Sequence, residues 1–433
     1  MRVKLVKINL LNLFCVLAPL SVCGIVTRGI DLPICIIISI IALFLLLRNK
    51  MEWRREQRFL VILFFLPIFL SLLGVGVNVF LLNDSCYYRY IAENLSGRLV
   101  NVCCYLIMIV FAFSVINSFT VEELKKIMQV YLWSIIIVFV PFGIWQLLHL
   151  FFGIWIPPLD TRADLHSLTA YYGGIKRLTS LANEPSFLVP FLIDGIIIAA
   201  YLRKTLIVGI FIIFLLFSLS LGGYLNACII LLVGMFYLFP RMNFKKNLII
   251  GVIISSGIFI LFCDELVILF DIILSRRELS DGGIDISQSS RLQMVIMPWY
   301  FVVQKGIIPF IVGFGPGSFK YLHTTEKLAN GDFFHRTSNC LYTDSFYEGG
   351  IVAILAICCF FIYMYFLLNK VRYTTNLRDV SFGKLLICQL VITSFYRADF
   401  MSPRFWIIVM LIFVFYRIAE FKFHENIANN PNL

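Results

Sequence analysis

Phe59-Leu-Val-Ile-Leu-Phe-Phe-Leu-Pro-Ile-Phe-Leu-Ser-Leu-Leu-Gly-Val-Gly-Val-Asn-Val-Phe-Leu-Leu82 runs without one charged side chain, directly after the basic cluster Arg48 to Arg58. A bilayer core takes about 20 consecutive apolar residues wound as a helix. The stretch is long enough to cross, and its basic lead holds one end on the cytoplasmic side. Similar apolar runs recur along the chain, at about 8–25, 30–47, 59–82, 99–119, 130–153, 186–202, 205–219, 223–239, 247–263, 345–368, 383–398 and 404–421. They predict an all-α polytopic membrane protein with about 12 transmembrane helices, forming a single integral membrane domain over 1–433.

Composition agrees. Of 433 residues, 60% are hydrophobic and only 14% charged, and the mean hydropathy is +0.91. Soluble domains are about 45–50% apolar and about 25% charged. A soluble enzyme, a nucleic-acid module and a disordered chain are excluded. The net charge of +11 has a simpler source than nucleic acid, because cytoplasmic loops retain Lys and Arg. With both termini inside, the short cytoplasmic segments hold more than half of the 36 basic residues. The first run has a basic lead but no small-residue cleavage site, so it reads as a retained helix. Most of the twelve Cys lie in apolar runs, where Cys acts as a small hydrophobe. No Cys/His spacing suggests a metal.

Two outer loops stand out, a first at 154–185 and a second, partly helical one at 264–344. Polar material therefore gathers on the outer face, where nucleotide donors are not expected. In the first loop, Arg177-Leu-Thr-Ser-Leu-Ala-Asn-Glu184-Pro185-Ser186-Phe187 leads into a helix. Pro185 suits a first helical turn and Asn183 is a candidate cap. Glu184 reads either as an acid at the positive helix end or as a carboxylate that binds hydroxyls or takes a proton. Arg177 can hold a phosphate through its planar fork.

The second loop offers Arg276 and Arg277, a helix from Arg291 to about Lys305, the triplet Gly313-Phe-Gly315-Pro-Gly317, and His335, Arg336, Ser338 and Asn339. The glycines lack the strand–loop–helix context of a phosphate cradle and read as a tight turn. The last outer turn holds Arg397 and Asp399, which can pair with each other, and Arg404, a candidate for an anion site on the same face. Within the spans, Asp194 and His149 are the polar candidates. An intramembrane acid is a functional suspect, and Asp194 is two turns past Glu184.

Together these segments resemble the bacterial O-antigen and capsular polysaccharide polymerases of the Wzy type and the related O-antigen ligases. Four features carry the likeness: Arg177…Glu184-Pro185-Ser186, the small-residue turn Ser218-Leu-Ser220-Leu-Gly222, Ser290-Arg291 with Gly313-Phe-Gly315-Pro-Gly317, and Asn339 followed by Glu348-Gly349-Gly350-Ile351. Ligases carry a His immediately before the Asn. Here that residue is Ser338, and His335 lies four positions before Asn339, which favours a polymerase.

The resemblance implies a membrane-embedded, GT-C-like glycosyltransferase in the bacterial plasma (inner) membrane, without metal, nucleotide or other cofactor. Its substrates would be undecaprenyl-pyrophosphate-linked glycans in the lipid bilayer, with a chain-length regulator and a flippase as partners and no nucleic acid. An inverting displacement would need cations for the leaving diphosphate and a base for the acceptor hydroxyl. The catalytic candidates are Arg177, Arg291, Glu184 and His335. The substrate-binding candidates are Arg276, Arg277, Arg336, Asn339, Tyr342 and Arg404. Tyr171, Tyr172, Trp299 and Tyr342 are candidates to stack on sugars. A ligase, a glycan transporter and a cell-wall polymerase related in fold are the competing readings. A transporter would show repeats or broken helices around midplane polar sites.

Overall fold

The computed structural model describes residues 2–23, 31–48, 53–155, 171–172, 175–238, 290–326, 337–372 and 377–429. Helices α1 (Arg2–Leu20), α2 (Asp31–Arg48) and α3 (Arg55–Leu82) open the chain. Asn83 stops α3 in the left-handed region (φ 43°). Asp84 then caps α4 (Ser85–Tyr90), its side chain accepting from the Cys86 amide at 2.8 Å. One π turn (Ile91–Leu95) joins α4 to α5 (Ser96–Asn117). Helix α6 (Val121–Phe152) starts at a reciprocal Thr120/Glu123 capping box and ends at Gly153 in the left-handed region. There follow α7 (Pro185–Tyr201), α8 (Thr205–Phe217) and α9 (Leu221–Leu238), then α10 (Ser290–Gln304), α11 (Ile307–Val312) and α12 (Phe319–Thr325). The chain closes with α13 (Leu341–Arg372), α14 (Leu377–Tyr396), a 3-10 turn (Asp399–Met401) and α15 (Pro403–Asn429). A two-residue hairpin pairs Tyr171–Tyr172 with Ile175–Lys176.

Among the described residues, five helices are long and apolar enough to cross a membrane: Arg55–Leu82, Ser85–Asn117, Val121–Phe152, Leu341–Val371 and Arg378–Tyr396. Five apolar helices are shorter. The chain is thus a helical membrane protein. Eleven of the twelve expected runs fall on helices, and the run 247–263 lies outside the described residues. The helix expected from Arg291 to about Lys305 is present as α10, starting at Ser290.

The run at 404–421 differs in kind from a lipid-facing span. It lies in α15, a helix buried on every side: Phe405 to Phe415 is 0–2% exposed throughout. A helix apolar all round belongs in a core, and α15 packs against α1, α5, α6, α13 and α14. Trp406 stacks on Phe65 and meets Phe64 edge-on, tying α15 to α3. Apolar side chains such as Phe44, Leu47, Phe80 and Ile137 remain exposed on the peripheral helices, as a lipid-facing surface requires.

A second, smaller core of Tyr87, Tyr90, Phe301, Phe314, Tyr321 and Tyr347 joins α4, α10, α12 and α13. The Tyr321 phenol donates to Asp84 at 2.8 Å. Burial and the Asp84 carboxylate raise its pKa, which keeps it a neutral donor.

Candidate functional site

The polar segments lie at helix ends. The chain from Arg177 to Asn183 is not helical, yet Leu178, Thr179, Ser180 and Ala182 are buried. Buried backbone away from water must find partners within the protein. Gln146 of α6 supplies three of them: its Oε1 accepts from the Thr179 and Ser180 amides at 3.0 and 2.9 Å, and its Nε2 donates to the Arg177 carbonyl at 3.0 Å. Ser180 takes a positive φ of 52°, and its hydroxyl donates to the Phe139 carbonyl at 2.7 Å. The Asn183 amide donates to Val22, beyond α1.

Arg177 is half-buried. Its Nε donates to the Ser218 carbonyl at 3.3 Å and its Nη2 to the Leu219 carbonyl at 3.0 Å. Leu219 itself has a positive φ of 47°, which turns the chain between α8 and α9. The first and second of the four segments that carry the family likeness therefore meet through one guanidinium.

Glu184 is the N-cap of α7, with Pro185 in the first turn. This corrects the assignment of the cap to Asn183, which stands one residue before the cap position. The Glu184 carboxylate accepts from the Ser186 hydroxyl at 3.1 Å. One turn on, the Arg397 guanidinium lies 2.9 Å from the centre of the Phe187 ring. The side chain of Asp399, which the sequence offers as one partner for Arg397, lies outside the described residues.

The third and fourth segments also meet. The Phe314 amide donates to the Tyr347 carbonyl at 2.9 Å and the Gly315 amide to the Glu348 carbonyl at 2.8 Å. The approach leaves no room for side chains. A Cβ on Gly313 would lie 2.3 Å from the Glu348 carbonyl carbon, and one on Gly350 would lie 2.3 Å from the Ile311 oxygen. Both glycines have positive φ, 72° and 65°, and Gly350 breaks the helical path of α13. The glycine triplet is a close-packing turn, as expected, and it docks against a membrane helix. Three more groups hold it: Asn78 Nδ2 on the Gly313 carbonyl (2.9 Å), and the Tyr87 and Tyr90 phenols on the Phe314 and Pro316 carbonyls (2.6 and 2.8 Å).

This packing presents Glu348. Its side chain is 11% exposed, and both its oxygens accept from Arg98 Nη2 at 3.1 and 3.2 Å. The Arg98 guanidinium also lies over the Phe400 ring at 4.9 Å. Beside the pair is a cavity of about 30 Å³ bordered by Phe64, Ser71, Pro316, Ser345, Glu348 and Phe400, among others.

Arg98 was not among the sequence candidates. The signal was available, because a lone cation at the head of the apolar run 99–119 is costly unless used. Gln146 and Asn78 carried the same signal.

Other expected site residues have different surroundings. Arg404 does not open onto an outer anion site. It is 1% exposed and grips Asp194 through Nε (2.8 Å) and Nη2 (2.9 Å). Asp194, 0% exposed, also accepts from Tyr131 at 3.2 Å. The reason is depth: both charges lie inside the bundle, where desolvation demands a partner. Asp194 therefore does not share an open cavity with Glu184.

The Tyr342 phenol bonds the Val391 carbonyl (3.3 Å), and its ring leans on Phe395. Trp299 is stacked on Phe346 and donates to Thr343. His149 sits in the last turn of α6 against the Ile154 carbonyl (2.7 Å). Asn339 adopts a positive φ of 60° in the turn before α13, where Ser338 and Thr337 bond Asp344. Arg291 belongs to the first turn of α10, while its side chain, with all of Arg276, Arg277, His335 and Arg336, lies outside the described residues.

No family model matches the chain, and no curated protein matches it in sequence comparison.

Proposed function

We propose that the protein polymerises undecaprenyl-pyrophosphate-linked oligosaccharide repeat units into O-antigen or capsular polysaccharide on the outer face of the bacterial plasma membrane. In this reading it is a metal-independent, GT-C-like glycosyltransferase with about twelve spans and cytoplasmic termini, working beside a flippase and a chain-length regulator. The observation that carries the reading is pairwise convergence. Arg177 is fastened to the Ser218–Leu219 turn, and Gly313–Gly315 is docked on Tyr347–Glu348. Segments far apart in sequence are joined at helix ends, which in this reading face outward, where lipid-linked glycans would arrive.

The chemistry requires cations for a diphosphate that gains charge as it leaves. Arg177 and Arg291 take that role, with Arg276, Arg277 and Arg336 as further candidates. Arg404, fully engaged by Asp194, is withdrawn from it. A carboxylate must receive the proton of the acceptor hydroxyl, and Glu184 and Glu348 are candidates for it. His335 is the alternative base.

The test is a surface-glycan gel ladder from cells with the gene deleted and restored. Lipid core capped by a single repeat unit in the deletion supports a polymerase. Bare core with accumulated lipid-linked polymer would make it a ligase instead. An unchanged ladder would favour a transporter and overturn the proposal.

A further inference from the structure

The Arg98–Glu348 pair has more built around it than an ion pair needs. Gly313 and Gly315 pack on the Glu348 backbone and beside Tyr90, and Gly317 has the Arg98 side chain 3.1 Å from where its Cβ would stand. Gly350 breaks α13 two residues after Glu348. All four have positive φ, and backbone conformations of this kind cluster where geometry serves a function. The π turn at Ile91–Leu95 directly precedes the helix carrying Arg98, another feature frequent at functional sites.

Glu348 borders the cavity. Its about 30 Å³ exceeds the roughly 10–15 Å³ that one water needs, which is room for a water-sized polar group beside the carboxylate. Arg98 engages that carboxylate through Nη2 alone. An ionised carboxyl group has about four acceptor positions, which leaves capacity for an incoming hydroxyl.

We propose that Glu348 is the catalytic base of the transfer and Arg98 its positioning residue, an inference that rests on the glycosyltransferase reading of this face. The acceptor hydroxyl oxygen forms the new bond to the donor's anomeric carbon. The bond from that carbon to the diphosphate oxygen breaks, and its electron pair leaves with the diphosphate. The hydroxyl proton passes to Glu348. Arg98 holds the carboxylate in place through Nη2, while the cations assigned above meet the departing diphosphate.

The test uses the full-length protein in detergent or nanodiscs with a lipid-linked repeat unit, scoring formation of the dimeric product and binding of the single unit separately. Wild type must form the dimer. If it does not, the glycosyltransferase reading itself fails and this inference with it. With an active wild type, Glu348→Gln should lower turnover about 100-fold or more, the contribution typical of a general base, with unit binding unchanged. Glu348→Asp should retain part of the activity.

The double variant Arg98→Glu/Glu348→Arg separates chemistry from architecture, since it restores an ion pair but moves the carboxylate. Folded and inactive, it supports the proposal. Wild-type turnover in the double variant or in Glu348→Gln overturns it. If Glu348→Gln does not fold, the double variant decides.

Discussion

Arg404 and Asp194 meet through two hydrogen bonds of 2.8 and 2.9 Å, with 1% and 0% of their side chains reachable by solvent. The pair links α15 to α7, and Tyr131 brings in α6 through its 3.2 Å bond to Asp194. Charges this deep stabilise a fold only as a matched set. Removing one partner typically costs about 3–5 kcal/mol, whereas replacing both by apolar groups is often neutral. Arg404→Ala and Asp194→Ala are therefore expected to lose folded protein. The combination Arg404→Met/Asp194→Leu should recover a monodisperse size-exclusion peak. Full recovery in the single variants would contradict a structural role for the pair.

The glycine contacts predict a sharp contrast within one residue type. Gly313→Ala and Gly350→Ala bring a Cβ within 2.3 Å of backbone atoms and should lower the melting temperature in detergent markedly. Gly76→Ala, in α3 with nothing within 4 Å of the added carbon, should be neutral or stabilising by roughly 0.5–1 kcal/mol, the helical advantage of Ala over Gly.

Tyr87→Phe and Tyr90→Phe each strip a buried carbonyl of its phenol donor. An unsatisfied buried acceptor costs about 1–3 kcal/mol. Both variants should be less stable by that order in thermal denaturation and should loosen the smaller core, seen as faster protease cleavage near 313–326. Unchanged cleavage would mean that this core is held by other contacts.

Arg177→Lys tests the forked geometry. A lysine keeps the charge but has no planar fork to reach the Ser218 and Leu219 carbonyls together. Polymer is expected to vanish in Arg177→Lys, as in Arg177→Ala, Arg291→Ala and Glu184→Ala, with the protein still detectable by immunoblot. Normal ladders in all of them would remove these residues from the site.

Sidedness is open to direct measurement. A C-terminal reporter should be active only in its cytoplasmic form, and an epitope inserted near 154 or 326 should be accessible from outside. The reverse pattern would place the whole site on the wrong face.

Much of the architecture was legible because apolar runs in a membrane have few alternatives to helix. Eleven of the expected runs lie on helices, and the Ser290 helix start was visible as a polar-to-apolar switch. Burial within the bundle was less legible. A span that faces lipid and one that faces other helices read alike in sequence, so α15 was taken for an ordinary span and Arg404 for an outer anion ligand. The Arg98–Glu348 pairing could not be read either, because the two residues lie 250 positions apart and nothing local couples them. The same holds for Gln146, whose role arises only when a non-helical strand of backbone is laid across it.

The Arg177 guanidinium rests on main-chain oxygens, which every residue type supplies. Substitution at 218 or 219 would leave the anchor intact so long as the turn persists. Over generations such a contact can be inherited without any matching partner residue. A search for correlated changes between columns would overlook it, and Arg177 would stand out in an alignment only as a solitary arginine.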